Sequence, residues 1–408
     1  MAAQPVPVST ACIIGTMTQK FTKTNILLLT AAAFYAFLVF GFSDNLKGPI
    51  LPAVLADLQI SYATGGVILM SIYIGFMAAT LSAGFIADKF GQKVVLVNAG
   101  ICLTLGVIGF TYSSLPSLLT LSMIVLGYGL GSLELGCNSL IVALHPTNQA
   151  RYLNLMAVMH GMGSMLAPLY VGWALAAGTS WRVVYRWDVA LTLVLIVVFT
   201  ISSFPKKKPA ESQTMDFRHI GAKAFSPTML LFYFAQLIYV AFELGLASWM
   251  VEFLQKIQHQ DVNQSTQALS IFFGLVMVGR LVGSFLVDRI GHLRSVLLAS
   301  LAASACVAAG LFGPPQLAWL LPGSGLFLSI IFPTITAAIS ATNSENMNTI
   351  LGLLFTFAGL GGIIGPWLVG VASDLGGSIQ LGFSLNLVFG LLTAGAALVL
   401  IRRTAVRA

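Results

Sequence analysis

Asp44, Glu134 and Glu243 are the side chains of this sequence with the most chemistry to offer, because each carboxylate lies deep inside a long apolar run. The chain uses acid sparingly, with 13 Asp plus Glu in 408 residues. In the hydrocarbon of a membrane a bare carboxylate costs about 2.5 kcal/mol or more, so such residues are paired, protonated or wetted, and they mark solute or proton paths. Taking up a proton removes the buried charge and changes the cost of closing a cavity over it. A carboxyl of this kind therefore couples proton binding to conformation without covalent chemistry.

The rest of the sequence supplies the membrane. It is 57% hydrophobic and 8% charged, with a mean hydropathy of +0.92, far outside the range of soluble globular chains. A helical span needs about 20 apolar residues. Hydropathy and helix breakers mark twelve spans at 26–56, 62–88, 93–112, 117–144, 152–177, 183–204, 227–256, 267–289, 294–312, 316–342, 348–374 and 380–402. The expected fold is an all-α membrane protein. A cytoplasmic tail over 1–25 precedes a six-helix bundle over 26–204, and a linker over 205–226 leads to a second bundle over 227–402 and a tail over 403–408. The first 24 residues lack the charged start, apolar core and cleavage site of a signal peptide and read as a tail.

Basic residues orient the spans. With both termini in the cytoplasm, the cytoplasmic set is Lys20, Lys23, Lys89, Lys93, Arg151, Lys206, Lys207, Lys208, Arg218, Lys223, Arg289, Arg294, Arg402, Arg403 and Arg407, which is 15 of the 20 Lys and Arg. Arg182, Arg186 and Lys256 fall near outer ends, and Lys47 and Arg280 fall within spans. That asymmetry satisfies the positive-inside rule and requires an even number of spans. It places the chain across a plasma membrane, the inner membrane for a bacterial source. The net charge of +7 follows from these loops and is no nucleic-acid signal. Cys12, Cys102, Cys137 and Cys306 have no metal or disulfide spacing, and three of them lie in apolar runs.

The two halves repeat. Gly84-Phe-Ile-Ala-Asp88-Lys89-Phe-Gly91-Gln-Lys93 follows span 2, and Asp288-Arg289-Ile-Gly291-His-Leu-Arg294 follows span 8, an offset of 200. In span 5, Gly161, Gly163, Pro168 and Gly172 match Gly359, Gly361, Pro366 and Gly370 in span 11, each at an offset of 198. Two matches at nearly one offset argue for duplicated six-helix halves. The Gly-x-Gly and Pro pattern suits close helix contact and a bend at the seam between them.

On these residues the chain resembles the major facilitator superfamily, over essentially its whole length. The loop at 84–93 and its degenerate copy at 288–294 look like the superfamily signature between spans 2 and 3 and spans 8 and 9. The resemblance implies an inner gate between the halves served by Asp88, Lys89 and Lys93, with Asp288 and Arg289 in the second copy. Ordinary positive-inside topology explains the basic residues equally well. Arg280, two turns before Asp288, reads as a gate or interhelix residue rather than a substrate ligand. The resemblance also implies a central cavity lined by spans 1, 4, 7 and 10, three of which carry the acids.

The pairing of an acid in span 1 with one in span 4 resembles the fucose permease branch of sugar:proton symporters, where acids on these helices carry proton coupling and sugar contact. The stretch Tyr239-Val-Ala-Phe-Glu243-Leu-Gly245-Leu-Ala-Ser-Trp249 supports the match, with Ala241 in place of a Gly. Asn45, Lys47 and His160 depart from the pattern. By this resemblance Asp44 and Glu134 handle the proton and the span 7 residues Tyr239, Glu243 and Trp249 meet the solute; by their own place in the spans His160 is a candidate proton partner, and Asn45, Lys47, Asn138 and Gln236 are candidate solute contacts.

Each residue has a plainer reading. Asp44 and Lys47 are i, i+3 and can form an ion pair that buries both. Glu134 and Asn138 are i, i+4 and can make an interhelix hydrogen bond. His160 is either a core histidine on a carbonyl or a proton partner of Glu134. Glu243 is a hydroxyl acceptor or a counter-charge to Lys47. Asn386 reads as structural. A sugar face stacks on aromatics while carboxylates and amides take its hydroxyls. Trp249 is the preferred stacker among Tyr239, Phe242, Phe355 and Phe357.

The expected activity is proton-coupled uptake of a neutral sugar or sugar-like compound by a monomer, with no cofactor, no metal and no nucleic acid. Monosaccharide, glycoside and polyol all fit, and sodium coupling is not distinguished from proton coupling. Export of drugs or metabolites is the alternative, favoured by an exporter-like Gly-Pro run in span 5. A receptor needs neither three mid-depth acids nor the duplicated loop. An enzyme lacks any nucleophile constellation or nucleotide loop. An anion carrier is disfavoured because only Lys47 and Arg280 offer positive charge within the spans.

Overall fold

The computed structural model describes residues 23–204, 224–342 and 347–405. Most of the expected linker over 205–226, with Lys206, Lys207, Lys208, Arg218 and Lys223, lies outside the described residues, as do Cys12, Lys20 and Arg407. The described residues contain no strand, and twelve helical spans are long and apolar enough to cross a membrane. Span 1 is α1 (Lys23–Asn45) and α2 (Lys47–Leu58); spans 2 to 5 are α3 (Tyr62–Phe90), α4 (Gln92–Tyr112), α5 (Pro116–Leu144) and α6 (Gln149–Ala176). Span 6 is α7 (Trp181–Arg186) and α8 (Asp188–Ile201). Spans 7 to 9 are α9 (Pro227–Lys256), α10 (Val262–Ile290) and α11 (His292–Phe312). Span 10 is a short 3-10 turn followed by α12 (Leu320–Leu328) and α13 (Ile331–Thr342), and spans 11 and 12 are α14 (Met347–Leu375) and α15 (Ile379–Ala405).

The expected spans match these within a few residues. The largest difference is the start of α10, where the polar turn Val262-Asn-Gln-Ser-Thr hides the helix from a hydropathy reading. Its signal is a cap: the Asp261 carboxylate accepts from the Gln264 N–H at 2.8 Å, as an N-cap should.

Each half owns a core. One apolar cluster draws on residues between Leu29 and Phe199. The other draws on residues between Ala224 and Leu400, joined by Leu51, Leu55 and Leu69 of the first half. The repeat is visible in the backbone. Gly91 and Gly291 both have φ of +90°, a conformation that suits glycine. Both close a long helix and open the next, with the Gly91 N–H on the Ala87 carbonyl at 3.0 Å and that of Gly291 on the Val287 carbonyl at 2.8 Å.

The two Gly-x-Gly pairs do different work at their two positions. A side chain on Gly163 would meet the Leu38 carbonyl at 2.1 Å, and one on Gly361 would meet the Leu237 carbonyl at 2.2 Å. These second glycines seat α6 on α1 and α14 on α9, within each half. The first glycines face across the seam: Gly161 lies on Met277 and Gly359 on Met77. The expected seam role thus holds for only half of the motif, because successive odd positions on a helix point to different faces.

Gly163→Ala and Gly361→Ala should each lower the melting temperature in detergent, since forcing a methyl against a carbonyl costs about 1–3 kcal/mol. Gly395→Ala, where nothing lies within 4 Å, should leave it unchanged or slightly raised, because alanine is the better helix former.

Candidate functional site

The seam between the halves is covered on one side of the membrane and bare on the other. On the face away from the chain termini, Gly66 of α3 packs on Pro366 and Trp367 of α14, and Gly172 of α6 packs on Thr266 of α10. The Asp374 carboxylate, at the end of α14, accepts from the Tyr62 and Ala63 N–H groups at 3.0 and 2.7 Å. It thereby caps a helix of the opposite half. The Tyr62 hydroxyl donates to Glu252 at 3.1 Å. The covered stripe of α3 runs on through Tyr73 and Met77, which meet Gly362 and Gly359. Toward the termini it is bare: Leu81 is 79% exposed, and nothing lies within 4 Å of a side chain built at Gly84 or at Gly352 of α14.

The polar residues collect where the halves part. Pro49 has no N–H for the Asn45 carbonyl and crowds it, and span 1 breaks at Leu46. The Lys47 ammonium folds back over this break and donates to the Asp44 carboxylate and to the Asp44 carbonyl. It also stands 5.2 Å from the Tyr73 ring centroid. Lys47 is only 5% exposed. Of its two readings, the ion pair is the one formed; its ammonium is committed to Asp44 rather than presented to the cavity. Asn45 is likewise engaged, donating to the Gly41 carbonyl at 2.9 Å and to the Ser164 hydroxyl at 3.0 Å.

Glu134 is partly exposed within electrostatic reach of Asp44. Neither it nor Asn138, one turn on along the same face of α5, makes a side-chain hydrogen bond among the described residues, so that face holds no interhelix bond there. His160 lies within reach of Asp44, Lys47 and Arg280, with its ring edge-on to Phe40 at 4.6 Å. Across the seam, Glu243 is held by the Tyr239 hydroxyl at 2.7 Å, which also lies 3.0 Å from the Leu328 carbonyl.

Three expected roles look different in the structure. Trp249 is fully buried and donates to the Pro366 carbonyl at 2.9 Å, wedged edge-on against Tyr62 on the covered side. It seals the seam and faces no open cavity. Gln236 is fully buried, and neither amide atom has a hydrogen-bond partner among the described residues. Lys93 donates to the Thr200 and Ser202 carbonyls at 2.6 and 3.1 Å. It caps the end of α8 in its own half, as basic residues do. Arg280 of α10 is exposed and lies within electrostatic reach of Glu243 and Tyr239 of α9 and of His160 of α6. Asp88, Lys89, Asp288 and Arg289 are exposed on the terminal face, beside the bare stripes.

Asp188 was not among the expected residues. It is fully buried at the break in span 6, accepts from the Ser43 hydroxyl at 2.9 Å, and keeps its second oxygen without a partner among the described residues. The rule that singled out the other acids, a carboxylate inside a span, applied to it as well. Its place near a span end, between two basic residues and an apolar run, concealed it.

Two six-helix halves, a duplicated loop and a polar layer at a seam covered on one side define a secondary carrier, not an enzyme. The family model of the Major Facilitator Superfamily matches residues 33–340 and 232–408. The chain belongs to that superfamily. It is 23% identical over 381 residues to the cis,cis-muconate transport protein of Acinetobacter baylyi, covering 86% of this chain and 88% of that one. It is 24% identical to the quinolone resistance protein NorA of Staphylococcus aureus, covering 91% and 95%. It is 23% identical to a putative glucose/galactose transporter of Helicobacter pylori, covering 86% and 91%. Among solved structures, a bacterial homologue of the human lysosomal transporter Spinster, inward-facing and unoccupied, superposes with a TM-score of 0.79 at 14% identity, covering 94% and 98%. The fucose:proton symporter FucP of E. coli does so with a TM-score of 0.61 at 19% identity, covering 92% and 99%.

Removing one partner of a buried ion pair costs about 3–5 kcal/mol, because the other charge is left uncompensated. Lys47→Met should therefore destabilise the protein strongly, and adding Asp44→Asn should recover most of the loss. Thermal unfolding of both single variants and the double variant gives the coupling; additive losses would show that the pair is not formed.

Proposed function

We propose that the chain is a proton-coupled symporter that takes up a neutral sugar or sugar-like compound by alternating access. The observation that carries this reading is the polar layer at the parting of the halves: Asp44, Glu134 and His160 on one side, Glu243 with Tyr239 on the other. The Asp44–Lys47 pair holds its own charge balance in this state. Glu134 makes no side-chain hydrogen bond or ion pair among the described residues, stands within electrostatic reach of Asp44, and is the proton carrier, with His160 able to share the load. Glu243 accepts solute hydroxyls, and the stacked pair Phe332 and Phe355, 6.0 Å apart with Phe355 half exposed, offers the aromatic face. With both termini in the cytoplasm, as the basic residues suggest, this state opens inward. The fucose:proton symporter FucP and the putative glucose/galactose transporter, as named, support the sugar and the proton.

A second reading is proton-coupled export. The exporter-like run at Gly161–Gly172 favours it, and one relative is named for quinolone resistance. Against it, the glycines of this run are spent on packing, and the same run recurs in α14.

In proteoliposomes with an imposed pH gradient, Asp44→Asn and Glu134→Gln should each abolish accumulation while leaving solute exchange measurable. Unchanged accumulation in both variants would overturn the mechanism. Accumulation only when the gradient is reversed would replace uptake by export.

A further inference from the structure

We propose that Arg280 is a carboxylate anchor in the central cavity, so that the solute is a hydroxylated carboxylate, a sugar acid, rather than a neutral sugar. This rests on the reading of the polar layer as the solute site and, within the sugar-like compounds, replaces the neutral sugar by its carboxylate-bearing counterpart.

The direction of Arg280 is fixed by its helix. Leu269, Phe273, Val276 and Arg280 follow at i, i+4, i+7 and i+11, one stripe of α10. Leu269 and Phe273 line a small void together with Asn45, Lys47 and Tyr73, so this stripe faces the centre of the molecule. Arg280 continues it about two turns toward the terminal face, where the seam is bare. Its guanidinium is exposed there, within reach of Glu243 and Tyr239 of α9 and of His160 of α6.

Among the described residues Arg280 has no directly bonded counter-ion; the acid that acts on it is Glu243, at electrostatic reach. Arg280 makes no ion pair and no hydrogen bond among the described residues. An intramembrane arginine is expensive and is ordinarily paired, and its planar fork matches a carboxylate with two parallel hydrogen bonds. Lys47, the other intramembrane cation, is already consumed by Asp44. A carboxylate on Arg280 places the rest of a small molecule beside Glu243 and Tyr239, whose oxygens suit hydroxyls. The charges compensate: protons on Glu134 and Glu243 remove the negative field that would repel the anion, so anion and protons favour each other's binding.

Matched ligands separate the possibilities. Purified protein is titrated with glucose against glucuronate, sorbitol against gluconate, and benzoate as a carboxylate without hydroxyls, reading thermal shift and calorimetric affinity. The wild type should bind the carboxylate of each sugar pair more tightly than the neutral partner. Arg280→Gln should weaken that binding by about thirtyfold or more, the loss expected when one partner of a hydrogen-bonded charge pair is truncated. Arg280→Lys, which keeps the charge, should lie between and serves as the folding control. Equal or tighter binding of the neutral partners, or an Arg280→Gln protein that binds gluconate like the wild type, overturns the anchor and leaves the sugar symporter standing. Binding of benzoate alone, lost in Arg280→Gln, keeps the anchor and overturns the sugar-like solute. Binding of none overturns both.

Discussion

Hydrocarbon solvates neither charge nor backbone, and every departure from a straight apolar helix in this protein must be answered by something nearby. Where Pro49 leaves the Asn45 carbonyl without its helical donor and span 1 breaks, the ammonium of Lys47 folds back one residue further, onto the Asp44 carbonyl and the Asp44 carboxylate. One side chain thus serves the backbone beside the break and a buried charge together. Where span 6 breaks at Trp187, Asp188 takes a hydrogen bond from Ser43, the residue before Asp44. The two breaks lie back to back, and the polar chemistry of the first half is concentrated between them. The apolar spans elsewhere are free to pack by close contact alone, through glycines such as Gly163 and Gly361.

The same constraint shapes the seam. Each half has its own core, and the halves share interior on the covered side, where Leu51, Leu55 and Leu69 of the first half join the core of the second. On the covered side, contact is backbone-close and locked by polar groups that bridge the halves: Asp374 on the start of α3 and Tyr62 on Glu252. On the bare side, the stripes of α3 and α14 continue uncovered to Gly84 and Gly352. A carrier that alternates must exchange one set of contacts for the other, and short stripes with few bridges keep that exchange cheap. Burying a wide apolar face on either side would trap one state.

Much of this was legible in the sequence, because the signals are strong and periodic. Twelve apolar runs, a duplicated loop and a duplicated glycine pattern give the fold and the seam before any coordinates. The acids of the polar layer were legible for the same reason: a carboxylate in an apolar run stands out. Side-chain direction was not. Trp249 follows Glu243 on the same helix at a spacing that suggests a shared ligand path, yet it points into the covered seam and bonds Pro366. Lys93 sits in a loop motif associated with gating, yet its partners are carbonyls of its own half. Gln236 lies on a cavity helix, yet its amide is enclosed. Helix membership is written in hydropathy, whereas facing depends on tilt and on neighbours far away in sequence.

One difference in facing could have been read from local spacing. Lys47 and Arg280 both lie within spans, and both count as the chain's scarce intramembrane cations. Lys47 has Asp44 three residues before it, the distance at which helical side chains meet. Around Arg280 the corresponding positions are Val276, Met277, Gly283 and Ser284, none of them acidic. The helix that carries Arg280 therefore cannot neutralise it, whereas span 1 neutralises Lys47 at once. The first cation is a structural element of a broken helix. The second has no bonded partner among the described residues and depends for its counter-charge on other helices, with Glu243 of α9 within electrostatic reach.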